Sequence, residues 1–117
     1  MSSAPTAPPE WESVSEMFGS LASPLRVGII ALLLERAMSV AELVDALAVT
    51  QPLVSHHLRI LREHCLVTGE RSGRRVVYRL MDDHVGHIVA DALKHAEEHA
   101  HRDGVPERST PDLKESP

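Results

Sequence analysis

Residues 50–67 read TQPLVSHHLRILREHCLV, and the way this stretch winds decides how the rest of the chain is understood. At about 100° per residue, a helix over 51–62 gathers Val54, Leu58 and Leu61 on one side, with Leu53 and Ile60 at the margin. Gln51, Pro52, Ser55, His56, Arg59 and Arg62 fall on the opposite arc. That arc carries amide, hydroxyl, imidazole and guanidinium groups, which suit base edges and phosphate oxygens. His57 falls among the apolar positions and is expected to be structural. Pro52 is tolerated in the first turn, and Thr50 is placed to cap it.

Upstream, Ser39 and Glu42 have the spacing of a capping box, so SVAELVDAL reads as a short helix joined to the first by only a few residues. Two short helices so joined predict a helix-turn-helix. Further upstream, Ser23 and Pro24 are an N-cap and first-turn pair that opens a helix to about Arg36, apolar on nearly every side and therefore central. Trp11, Val14, Met17, Phe18 and Leu21 recur at spacings of three and four, which predicts a first amphipathic helix. Downstream, LVTGE and RVVYRL flank RSGR, a hairpin signal with Gly73 available for a positive φ. The expected fold is mostly α with a small β-hairpin, a winged helix-turn-helix over residues 10–101. The tails 1–9 and 102–117, rich in Pro, Ser and charge, are expected to be disordered.

Composition narrows the function. The chain has 117 residues and a formal net charge of −5, but the charge is unevenly spread. Residues 50–80 hold six arginines against two acids, whereas residues 81–117 hold nine acids against four Lys and Arg. A local basic patch on an acidic molecule fits a phosphate-facing surface better than a nonspecific polyanion binder. Arg71, Arg74 and Arg75 in the hairpin extend the patch begun by Arg59 and Arg62. The longest apolar run, Val27 to Leu34, is far short of the roughly 20 residues that span a bilayer, so no membrane span is expected. No basic segment followed by an apolar one opens the chain, so a cytoplasmic location is expected. Cys65 is the single cysteine, which excludes an intrachain disulfide or a cysteine-rich metal cage within one chain. No nucleophile–base arrangement or phosphate-binding glycine loop is visible, so an enzyme is not expected.

The stretch DDHVGHIVADALKHAEE, residues 82–98, reads as a last helix that is apolar yet dotted with histidines and carboxylates. Five of the eight histidines fall between His84 and His101. His84 and His95 are eleven residues apart, about three turns plus roughly 20°, so they share a face. Their axial separation is roughly 16 Å, too far for one metal ion. Glu98 stands beside His95, and Asp82, just before the first turn, can stand beside His84, with Asp83 as the expected N-cap, although the two aspartates could exchange roles. An antiparallel copy of the helix about a two-fold axis would bring one chain's Asp82 and His84 against the other's His95 and Glu98, making two identical four-ligand sites. Apolar groups on the first helix (Trp11, Phe18, Leu21) and on the last (Val85, Ile88, Val89) point to the same dimer.

LASPLRVGIIALLLE, SVAELVDAL, TQPLVSHHLRILREHCLV and GERSGRRVVYRL together resemble the ArsR/SmtB family of winged-helix, metal-sensing repressors, over about residues 10–100. The resemblance implies a dimeric repressor that binds operator DNA and leaves it when a metal or other inducer binds. It also implies a zinc-responsive site, since Asp82, His84, His95 and Glu98 match the family's Asp-x-His and His-x-x-Glu motif position by position. The family's alternative thiolate site is not matched, because MSVAEL has no cysteine, which disfavours soft arsenic or cadmium. Cys65 stands where many members have Gly. Two imidazoles and two carboxylates suit tetrahedral Zn(II). Ni(II) or Co(II) would call for further ligands, for which His87, Glu97, His99 and His101 are available. A metal buffer with a vestigial winged helix, and a winged-helix regulator with a non-metal inducer, are the competing readings.

Overall fold

The computed structural model describes residues 7–102. Helix α1 (Pro9–Ser20) leads into α2 (Pro24–Glu35), the two axes meeting at 99° across a short break. Strand β1 (Met38–Ser39) runs directly into α3 (Val40–Leu47), followed by α4 (Gln51–Glu63), β2 (Val67–Ser72), β3 (Arg75–Leu80) and α5 (Asp83–Arg102). The helices begin a residue or so from where the capping signals place them. The expected disordered tails lie outside the described residues, apart from the residues at α1's start and Arg102.

Local chemistry explains most of these boundaries. Ser23 Oγ accepts the Arg26 N–H at 3.3 Å, with Pro24 next to it in the first turn. At α3 both halves of the capping box are made: Ser39 Oγ accepts the Glu42 N–H at 3.2 Å, and Glu42 Oε1 accepts the Ser39 N–H at 2.9 Å. Thr50 departs from expectation: it occupies the N-cap of α4 but its side chain makes no capping bond. Pro52, which has no N–H to satisfy, takes part of that role. Helix α4 ends in a Schellman arrangement, with the Cys65 N–H donating to the Arg62 carbonyl and the Leu66 N–H to the Leu61 carbonyl, both at 3.0 Å. Cys65 holds the left-handed conformation this requires, at φ 59°.

The hairpin becomes a three-stranded antiparallel sheet in the order β1-β3-β2. Gly73 turns it at φ 65°. Sequence reasoning missed β1, because two residues carry no period; they are a strand only because Met38 pairs with Tyr78 and Ser39 with Val77. The core is α2, as its all-round apolarity predicts, with Leu25, Ile29, Ile30 and Leu33 packed against Leu43, Leu47, Val54, Leu58 and Leu61. Each such side chain stabilises the fold by about 1.5–3 kcal/mol. Helix α5 lies on α2, and Gly86 is buried against Leu34 of α2 and Leu80 of β3.

The apolar groups assigned to a dimer divide in two. Leu21, Val85 and Val89 are buried within the protomer itself, at 7%, 9% and 4% exposure. Their inward position is a correction to the expected interface, since α5 buries one face against α2. Trp11, Val14 and Phe18 on α1, and Ile88 and Leu93 on α5, remain exposed.

Candidate nucleic-acid interface and metal ligands

Helix α4 presents the two faces its periodicity predicts. Val54, Leu58 and Leu61 are buried, and so is His57, whose ring meets that of His56 edge-on at 5.1 Å between centroids. On the other side Gln51, Pro52, Ser55, Arg59 and Arg62 are exposed and His56 is half-buried. Pro52, Ser55, His56, Arg59 and Arg62 line a concavity of about 380 Å³ whose remaining wall is Tyr78 of β3. Sequence reasoning missed Tyr78. The alternation of RVVYRL hinted that it lies on one face of the strand, but only the strand's placement beside α4 brings it to the recognition surface.

Arg71, Arg74 and Arg75 are all exposed on the wing. A second concavity, of about 280 Å³, lies between wing and helix-turn-helix and is lined by Arg74, Arg75, Val76, Gln51 and the start of α3. Arg75 is tied there: its Nη2 donates to Ser39 Oγ and to Glu42 Oε1, each at 3.0 Å. Arg36 Nη1 donates to the other Glu42 oxygen at 2.8 Å. The Ser39 N–H first, and the Arg36 guanidinium second, pull the Glu42 carboxyl down to about 2. Elsewhere on the wing, Arg79 pairs with Glu70 at 3.7 Å.

At the start of α5 the capping falls to Asp82 rather than to Asp83. Asp83 is the first helical residue, and it is Asp82 Oδ1 that accepts the His84 N–H, at 2.9 Å. An N-cap carboxylate reaches the amide two positions on. Asp82 Oδ1 also lies 3.4 Å from His84 Nδ1, so the two residues form a pair on the exposed start of the helix. His95 and Glu98 are exposed near its other end. His99 stands one turn beyond His95, their rings near-parallel at 11° with centroids 6.0 Å apart. His87 and Glu97 are exposed too, while the side chain of His101 lies outside the described residues. No group of three or more metal-capable side chains converges among the described residues of one protomer.

A helix with a polar outer arc, carried on a short capped helix and flanked by a basic wing, defines a winged helix-turn-helix DNA-binding protein. Residues 23–68 match the arsR family of bacterial regulatory proteins. The HTH-type transcriptional repressor SmtB of Mycobacterium tuberculosis is 52% identical over 98 residues, covering 82% of this chain and 73% of the relative. The HTH-type transcriptional regulator NmtR of the same organism is 38% identical over 100 residues, covering 83% and 82%. The solution structure of a homodimeric winged helix-turn-helix DNA-binding domain from Mycobacterium bovis shares the fold, with a TM-score of 0.73 at 24% identity, covering 86% of this chain and 95% of that one. The chain belongs to the ArsR/SmtB family of transcriptional repressors and is a regulator rather than an enzyme. No single helix among the described residues is long and apolar enough to cross a membrane.

Proposed function

We propose that this repressor binds operator DNA as a homodimer and is released when Zn(II) is held between the two α5 helices. In this reading Gln51, Ser55, His56 and Arg59 face base edges, while Arg62, Arg71, Arg74 and Arg75 face phosphates. Asp82 and His84 of one protomer combine with the partner subunit's His95 and Glu98. The metal, when bound, supplies a cross-link between subunits. The chain's own part is to present each donor pair at the correct end of a rigid helix.

The observation that carries the reading is the division of the donors. Asp82 and His84 lie 3.4 Å apart at one end of α5, His95 and Glu98 lie near the other, and no third ligand joins either pair among the described residues. Two N,O half-sites on one exposed helix fit the donor chemistry of a four-coordinate zinc centre once a second helix runs antiparallel. Recognition helices are carried rigidly by their subunits, so a small shift at the bridge spoils their fit to successive major grooves. By linkage, DNA then weakens metal binding by the same factor.

The test is fluorescence anisotropy on a duplex recovered by selection from random DNA, with and without Zn(II), Ni(II) and Co(II). His84→Ala and His95→Ala should each bind the duplex normally and ignore zinc. Mixing them creates heterodimers in which one site loses both histidines and the other keeps both, so about one full-affinity metal per heterodimer should return. Full zinc response in both single-variant homodimers would place the ligands elsewhere.

A second reading, with Ni(II) or Co(II) as effector, draws on the His95–His99 pair. His99, its ring centroid 6.0 Å from that of His95, is the residue that would turn in to add the nitrogen donor a higher coordination number requires. His99→Ala separates the two, since it should abolish a nickel response and leave a zinc response intact.

A further inference from the structure

The capping box at α3 asks the Glu42 side chain for one bond, to the Ser39 N–H. In the structure the carboxylate also receives Arg36, which follows α2, and Arg75, which opens β3. Three elements meet on a single carboxylate, one of them brought from 33 residues away. Among the described residues Arg75 is engaged through Nη2, by Ser39 Oγ and Glu42 Oε1. A planar guanidinium has five N–H donors, so those on its Nη1 and on its Nε are left for further acceptors. Arg75 lies in the wall of the 280 Å³ concavity, with Arg74 and Gln51 close by.

We propose that Glu42 is a positioning residue for DNA binding that acts through Arg75, holding the wing arginine against the start of the helix-turn-helix so that it meets a backbone phosphate already oriented. The proposal rests on the reading that the wing arginines face phosphate. A loose arginine gives up rotamer freedom when it binds; one already tied at one corner has less to lose. The same bond fixes the wing's returning strand to α3, and so sets the distance between the two DNA-facing elements. The competing expectation has the opposite sign. A carboxylate acting only as a local charge repels phosphate, so neutralising it would tighten binding.

Glu42→Gln separates these effects, because Gln also serves in a capping box while the charge is lost. Wild type, Glu42→Gln, Arg75→Ala and the double variant are titrated onto the selected duplex across a range of NaCl concentrations, with thermal melts confirming the fold. Glu42→Gln should weaken binding by about threefold or more and have no further effect in the Arg75→Ala background. Arg75→Ala should lower the salt slope by about one phosphate contact. Arg75→Lys keeps the charge but not the two-edged fork, so it should lose affinity and retain the slope. Tighter binding by Glu42→Gln, or an equal loss in both backgrounds, overturns the proposal. So does wild-type binding by Arg75→Ala while Arg59→Ala fails to bind; if Arg59→Ala also binds as wild type, the DNA surface itself is misassigned.

Discussion

A Cβ added to Gly86 would lie 2.6 Å from Cδ1 of Leu34 and 2.9 Å from Cδ1 of Leu80, so α5 meets α2 with no room for a side chain. Gly86→Ala must shift the ends of the half-buried Leu34 and Leu80 side chains, a cost partly offset by the roughly 0.5–1 kcal/mol that Ala gains over Gly within a helix. The net expectation is a destabilisation of about 1 kcal/mol. Chemical denaturation measures this, and a midpoint unchanged from wild type would mean that the helices part without cost.

The opposite change is expected at the end of α4. Cys65 has a positive φ of 59°, where a Cβ crowds the following carbonyl. Cys65→Gly keeps the Schellman bonds and relieves that contact, so stability should rise by about 1 kcal/mol. A lower thermal midpoint for Cys65→Gly would show that the cysteine side chain contributes more than its backbone costs.

Glu42 gives a pH dependence of definite sign. Its carboxyl is held at about 2, below the ordinary value of 4.5, so the folded state favours the charged form. The stability this contributes is fully present above pH 4.5 and is lost as the pH falls toward 2. Urea midpoints measured through that window should fall more steeply for wild type than for Glu42→Gln. Parallel curves would remove the carboxylate from the balance.

On the recognition surface, Ser55→Ala or Arg59→Ala should weaken specific binding by about 1–3 kcal/mol per lost base contact. Arg74→Ala should act on all sequences alike and reduce the salt slope by about one. Anisotropy on the selected and a scrambled duplex distinguishes the two classes, and equal losses on both duplexes for Arg59→Ala would make it a phosphate contact.

Exposed apolar side chains on α1 and α5 predict that the protein is a dimer without metal. Trp11 and Phe18 are 68% and 52% exposed, so replacing both with Glu should leave the protomer folded and shift sedimentation at micromolar concentration from dimer to monomer. Wild type sedimenting as a monomer would leave the shared metal sites without a basis.

How much of this was legible beforehand depended on the range of the interactions. Ser23, Pro24 and the Ser39–Glu42 box marked helix starts because a cap acts over two or three residues. The 3.6-residue period separated Ser55, Arg59 and Arg62 from Val54, Leu58 and Leu61 because a helix repeats its faces without help from the rest of the chain. The pairing of Asp82 with His84 was also local, although the capping role moved from Asp83 to Asp82. A period names a face but not what covers it. Leu21, Val85 and Val89 are buried while Trp11 and Phe18 are not, and that difference comes from how α1 turns away from α2 and α5 lies along it. Strand β1 exists only through β3, Tyr78 joins the α4 surface only through the sheet, and Arg75 reaches Glu42 only once the wing has folded back. Packing angles and loop closure set those distances, and neither is written in any short stretch of residues.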